Sequence, residues 1–242
     1  MSRIGTVVAL LLASTVHAAD NGDGALEEVT VTAQKRTQNI QDVPMSISAL
    51  DGAALDAIGA KNFEDFAREI PGLAFANLGP GQNRFTIRGV STFSGTSVVG
   101  IYLDDSPIAS TINYSQPSLA LYDVERVEVL KGPQGTLYGE GSLGGTLRYI
   151  TADPDPTKFA AKSEATVSNT EKGGTNYDIE AAVNLPLIDN ELAVRLVALH
   201  QYDSGYIDNI PLHDNNFNDV TTDAFRAKVL WKATDALSIQ LT

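Results

Sequence analysis

The sequence predicts an α+β domain followed by the start of an antiparallel transmembrane β-barrel, incomplete at about five strands. Three features predict it: an export leader on a chain without cysteine, a glycine-punctuated middle zone mixing short helices with short strands, and a final third of segments that alternate in polarity.

The leader comes first. Met1-Ser2-Arg3 gives a positive start, residues 6–13 are apolar, and Val16-His17-Ala18 presents small residues where a signal peptidase reads, so cleavage is expected between Ala18 and Ala19. The apolar run is too short to cross a bilayer as a helix. Export with no cysteine means that stability comes from packing or from a membrane, and thiolate metal sites and disulfides are excluded. A net charge of −13 over 242 residues argues against nucleic acid as a partner, because phosphate binding needs a basic face. Outside the leader only His200 and His213 remain, too few for a His-rich metal site, and no cofactor is implied.

A polar, Gly-rich stretch (residues 20–25) follows, then a short alternating β-prone run over residues 26–36. The α+β zone covers residues 38–154. Residues 43–49 are β-like; residues 51–58 suit a short helix stopped by Gly59; Asn62 with Asp65 can cap a second helix, ended by Pro71-Gly72. Strands are predicted at residues 85–90, 98–103, 126–130 and 146–151, with tight glycine turns at residues 132–135 and 139–145. Phe63, Phe66, Val127 and Val129 are the expected core.

The last zone, residues 155–242, alternates. Tyr177, Ile179, Ala181, Val183 and Leu185 share one face opposite Asp178, Glu180 and Asn184; Leu192, Val194, Leu196 and Ala198 oppose Arg195 and Gln201; Phe225, Ala227, Val229 and Trp231 oppose Arg226, Lys228 and Lys232. Leu237, Ile239 and Leu241 begin another copy, and residues 159–167 form a weaker first one. Each segment is about ten residues, the length a tilted strand needs to cross a membrane. Short connections at residues 186–190 and 233–236 alternate with a long polar loop at 203–223, the outer-membrane pattern. A soluble sandwich has the same alternation, so an exported β-rich binding protein without a pore is the competing reading.

Six stretches resemble the TonB-dependent outer-membrane receptor family. Glu28-Val29-Thr30-Val31-Thr32-Ala33 is similar to its TonB box. Phe85-Thr86-Ile87-Arg88-Gly89-Val90, Val99-Gly100-Ile101-Tyr102-Leu103-Asp104-Asp105-Ser106-Pro107-Ile108, Val124-Glu125-Arg126-Val127-Glu128-Val129-Leu130-Lys131-Gly132-Pro133, Leu137-Tyr138-Gly139 and Gly144-Gly145-Thr146-Leu147-Arg148-Tyr149-Ile150-Thr151 resemble its plug motifs, in the family's order.

The resemblance implies four parts: a signal peptide (1–18), a periplasmic tail with the TonB box (19–37), a plug domain (38–154) and the first barrel strands (155–242). It implies active uptake of a scarce nutrient, a ferric siderophore or other iron chelate foremost, across the Gram-negative outer membrane. The partners it implies are the periplasmic energy-coupling protein TonB, outer-membrane lipid and an extracellular small-molecule ligand. Phe93, Ser94, Thr111, Asn113 and Tyr114 are implied as ligand-facing loops. Arg84, Arg88, Glu125, Arg126, Glu128 and Arg148 are implied as wet contacts with the wall. The TonB box is expected to be extended and accessible for strand addition. The family closes about 22 strands around its plug; unpaired strand edges cannot sit in lipid, so a truncated gene, an incomplete record or a fragment is expected.

No enzyme is expected. Gly139-Glu140-Gly141-Ser142-Leu143-Gly144 spells a dinucleotide fingerprint but precedes a strand-like run where a helix is required, and no Ser-His-Asp, metal-hydrolase or phosphate-loop pattern is present.

Overall fold

The computed structural model describes residues 29–78, 83–92, 95–108, 119–139, 141–213, 215–234 and 236–242. The leader, its cleavage pair Ala18 and Ala19, the stretch 20–25 and Glu28 lie outside the described residues.

The N-terminal unit runs β1 (Thr30–Val31), β2 (Gln38–Asn39), β3 (Ile47–Asp51), α1 (Gly52–Ala57), α2 (Phe63–Ala67), β4 (Leu73–Asn77), β5 (Asn83–Ile87), β6 (Val99–Leu103), β7 (Ser106–Pro107), β8 (Val124–Lys131), α3 (Gly135–Tyr138) and β9 (Gly145–Thr151). Its main sheet has the order β3-β8-β9-β6-β7, with β6 and β9 parallel and the other pairs antiparallel. Both helices are capped, α2 by the pair expected from the sequence and α1 by a residue that had been read as part of the helix. Asp51 accepts from the Ala54 N–H at 2.7 Å, and Asn62 with Asp65 forms a full capping box on α2.

Alternation along β8 divides the core. Val127 and Val129 point to one face, where Phe63, Phe66, Ile70, Phe85, Ile87 and Tyr149 bury against them. Leu130 points to the other, where Val31, Ala33, Val43, Tyr102 and Tyr138 form a second, smaller cluster. Phe63 packs edge-on to Phe66 and Phe75, with ring centroids 5.1 and 5.5 Å away.

The structure departs from the sequence reading at β5, which spans Asn83–Ile87 rather than residues 85–90, at the unpredicted short strands β2 and β7, and at three further elements. β3 begins at Ile47 rather than residue 43, since Pro44 has no N–H to give a ladder. β4 was not expected: Leu73-Ala74-Phe75-Ala76-Asn77 lacks polar alternation and becomes a strand only by pairing with β5. One helical turn, α3, lies between the two expected glycine turns, where no helix was expected.

The C-terminal sheet is an open antiparallel meander, β10 (Ala160–Asn169), β11 (Thr175–Ile188), β12 (Leu192–Asp203), β13 (Val220–Thr234) and β14 (Leu237–Leu241), in sequence order. Its burial runs opposite to that of a soluble sandwich. On β13 Phe225 is 72% exposed while Lys228, on the other face, is 2% exposed. On β11 Glu180, Ala182 and Asn184 are buried and Tyr177 and Ile179 are exposed. β12 is less one-sided than its sequence suggests, since Ala193, Val197 and Leu199 are buried on the inner face as well. Among the described residues no helix is long and apolar enough to cross a membrane.

Aromatic residues mark both ends of the outward face. Tyr177 and Tyr202 pair across β11 and β12 and stack at 5.3 Å. Tyr202 pairs with Thr221, and Trp231 lies ten residues further along β13. At about 3.3 Å per residue and a tilt of about 40°, that span is about 25 Å, the height of an apolar outer-membrane band.

Candidate functional site

The site consists of an N-terminal segment stowed on the plug-like unit and two charge clusters that seat this unit on the strands. Residues 29–33 run extended. β1 pairs with β2 through Thr30↔Asn39 and Val31↔Gln38, and the Ile40 N–H donates to the Val29 carbonyl at 2.9 Å. Val31 and Ala33 are fully buried in the second apolar cluster.

The even positions of β8 receive this segment. Glu128, fully buried, accepts the Thr32 N–H at 2.8 Å. Two guanidiniums neutralise Glu128: Arg126 Nε at 2.9 Å and Arg148 Nη1 at 2.6 Å. Both also donate to Thr32 Oγ1, at 3.1 and 3.0 Å. Tyr138 donates its hydroxyl to the Ala33 carbonyl at 2.7 Å. Burial pushes the Tyr138 phenol up to about 12, so it remains a donor at neutral pH. Lys35 ends the stretch on Asp105 at 2.5 Å.

This corrects two expectations. The segment is extended but tucked in, because the side-chain alternation that would let it add to a partner's sheet here places Val31 and Ala33 in an apolar cleft. Arg126, Glu128 and Arg148 do not face the wall. They lie on the β8–β9 face that the segment covers.

Other groups make the wall contacts. Asp123, with a fully buried side chain, is held by Arg195 through two bonds of 2.5 and 2.7 Å, by Lys162 at 3.2 Å and by Arg226 at 3.3 Å. Burial opposes its charge, but these cations outweigh that effect and hold the carboxyl below the ordinary aspartate range. Lys228 donates to the Thr151 carbonyl at 3.1 Å and pairs with Asp104 and Asp153, each at 3.0 Å. Lys61 bridges to Glu164 and, at 3.5 Å, to Glu180. Arg195, Arg226, Lys228 and Glu180, which the alternation assigned to a wet face, thus meet the N-terminal unit.

The remaining motif residues build the frame. Ile87 is buried in the main core, and the turn after it uses Arg88 at φ +51° and Gly89 at φ +79°. Lys131 donates to Ser48 Oγ at 2.8 Å; burial and the Arg88 charge lower its pKa. Gly132 and Gly139 take positive φ, and Gly144 lies against Val90. Gly145 is the most constrained of these four, since a Cβ there would lie 2.3 Å from the Leu130 carbonyl oxygen. Phe93, Ser94, Thr111, Asn113 and Tyr114 lie outside the described residues. Asp123, Asp104, Lys61 and Tyr138 had no assigned role in the sequence reading. The pairing of Asp123 with Arg195 joins residues 72 apart, and only the fold reveals it.

An α+β unit seated by ion pairs on the charged inner face of strands whose outer face is apolar is the architecture of a plugged outer-membrane barrel. Residues 39–146 match the family model described as TonB-dependent Receptor Plug Domain. Over 201 residues the chain is 31% identical to the pesticin receptor of Yersinia enterocolitica, covering 81% of this chain and 28% of that receptor. Over 145 residues it is 32% identical to the vitamin B12 transporter BtuB of Photobacterium profundum, covering 59% of this chain and 23% of that protein. It is similar in structure to the ferric yersiniabactin uptake receptor FyuA from Yersinia pestis, with a TM-score of 0.66 and 27% identity over 77% of this chain and 29% of that one. The pyoverdine receptor FpvA of Pseudomonas aeruginosa shares the fold, with a TM-score of 0.70 and 24% identity over 87% of this chain and 29% of that one.

The chain belongs to the TonB-dependent receptor family, whose place is the outer membrane. These relatives are receptors and transporters, not enzymes. The chain spans 28% of the length of the pesticin receptor it matches.

Proposed function

We propose that these residues are the plug and opening wall strands of a receptor that takes up a scarce nutrient, most simply a ferric siderophore, with residues 28–33 serving as the TonB box. In this reading residues 1–18 are the leader, 19–37 the periplasmic tail, 38–154 the plug and 155–242 the first strands. The observation that carries it is the stowed segment. Two of its holding contacts go to backbone, Glu128 to the Thr32 N–H and Tyr138 to the Ala33 carbonyl. A strand held by its backbone can be exchanged onto another protein's sheet edge, where the same groups find equivalent partners. The ferric-siderophore reading is supported by relatives named as the ferripyoverdine receptor and the ferric yersiniabactin uptake receptor.

Val31→Pro tests it. Proline removes the β1 N–H and cannot join a ladder. In the full-length receptor the variant should bind radiolabelled ferric siderophore normally and take up none. Undiminished uptake refutes the assignment of the box.

A further inference from the structure

The linker between β9 and β10, residues 152–159, is fastened rather than free. Pro154 and Pro156 are buried and have no N–H, so this stretch cannot join a ladder. The Asp155 peptide between them is matched instead by one side chain. Asn184 of β11, 1% exposed, accepts the Asp155 N–H through Oδ1 at 2.8 Å. Its Nδ2 donates to the Asp155 carbonyl at 2.8 Å and to the Lys158 carbonyl at 2.7 Å. The amide oxygen and both amide hydrogens are thus used, as a neighbouring strand would use them. Two further bonds shape the same stretch. The Asn190 N–H, from the turn after β11, donates to the Pro156 carbonyl at 3.0 Å. The Asp155 carboxylate accepts from the Thr157 N–H at 2.9 Å and from its hydroxyl at 2.6 Å, which closes a turn.

We propose that Asn184 is the mount of the plug: its side chain makes residues 155–158 part of the wall, so that the plug's C-terminal end hangs on a short, fixed tether. This rests on the division into plug and wall strands proposed above. Chain geometry shows what the mount decides. Held at Asp155, the tether from Thr151 at the end of β9 reaches at most about 14 Å; released as far as Ala160 it would reach about 31 Å. The short tether confines the plug to its own seat. The long one exceeds the apolar band, about 25 Å tall, and would let the plug leave the wall it blocks. The other hold on this stretch is weaker. Lys228 and Gln240 bond Asp153, but that side chain is 58% exposed, and charge pairs open to water are worth little. Asn184 is enclosed, so its three bonds keep their strength. It is a positioning residue, acting on the plug through the linker backbone.

The chain has no cysteine, so a thiol in place of the buried Pro156 reports release of the linker. In outer membranes carrying the full-length receptor, maleimide labelling of Pro156→Cys is compared in three backgrounds, with labelling of the receptor lacking that thiol subtracted. Asn184→Ala removes all three bonds and should speed labelling about tenfold. Asn184→Asp has the same shape but no donor for the two carbonyls, and should speed it at least about threefold, which loss of packing alone would not do. Lys228→Met, which frees Asp153, should change it by less than about twofold. Trypsin cleavage after Lys158, followed with Pro156 intact, should rise in the same order and decides if the two readouts disagree. Cleavage unchanged in both Asn184 variants, or raised as much by Lys228→Met, overturns the proposal. None of these readouts involves residues 28–33, so a failure here leaves the coupling segment standing, and undiminished uptake in Val31→Pro leaves the mount standing.

Discussion

The plug sheet and the wall sheet each have five strands, and they bury opposite things. The plug sheet hides Val127, Val129, Leu147 and Tyr149 at under 1% exposure and is covered on both faces, by helices and a hairpin on one and by the stowed segment on the other. The wall sheet hides Lys228, Glu180 and Asn184 and leaves Ile179, Phe225 and Leu241 outside. The same alternating grammar therefore serves two solvents. In the plug, the apolar phase finds protein. In the wall, it finds no cover among the described residues, and the charged phase finds the plug. A charged inner face lets the plug be held by contacts that water can replace, while the barrel is held by its ladder and by lipid.

Phenylalanine at two positions sharpens this contrast. Phe63→Ala empties a packed site between Phe66, Phe75 and Phe85 and should cost the plug about 3–5 kcal/mol, transfer plus cavity. Phe225→Ala removes a similar ring from the outward face, where fluid lipid closes the gap, so only the transfer part is lost, about 1.5–3 kcal/mol. Denaturant titrations of the full-length receptor in bilayers measure both. A Phe225→Ala cost near zero would mean that this face meets water, and the membrane reading of the wall would fail.

Charge at the same place tests the solvent directly. Phe225 lies near the middle of the span between Thr221 and Trp231. Phe225→Arg should cost about 2–4 kcal/mol at the bilayer midplane, whereas a surface substitution in water stays within about 0.5 kcal/mol. The readout is the yield of heat-resistant folded receptor in the outer membrane. An unchanged yield counts against a lipid-facing β13.

How much of this could be read beforehand follows the range of the interactions. Capping by Asn62 and Asp65 is local, and the sequence spells it out in three or four letters. The inward charges of β11 and β13 were legible too, because period two needs only one strand to be seen. β4 was not, since Leu73-Ala74-Phe75-Ala76-Asn77 has no polar phase to read and depends on β5. The site was half legible. Its motif strands were found, but Arg126, Glu128 and Arg148 were aimed at the wall, because a strand's period says which residues share a face and not what covers that face. Tyr138 and Asp123 act across 105 and 72 residues, a separation that no local pattern encodes.

The smallest expected effect lies where the two regions meet the segment. The Asp105 carboxyl is held below the ordinary aspartate range, chiefly by the Lys35 hydrogen bond against opposing burial, with the Lys35 and Arg148 charges adding. A carboxylate lowered in the folded state stabilises it fully above its unfolded value, and the contribution fades as pH falls through the lowered one. The stowed segment should therefore loosen only in acid, below about pH 4, and only slightly, since Asp105 is exposed and such pairs are worth little. A spin label at Thr30→Cys would report it as a rising mobile fraction on acidification. Asp105→Asn should start with a somewhat larger mobile fraction at neutral pH and lose part of the acid response. If Asp105→Asn retains the whole acid response, the Lys35–Asp105 pair does not hold the segment, and the mobile fraction is governed by groups on the plug–wall side instead.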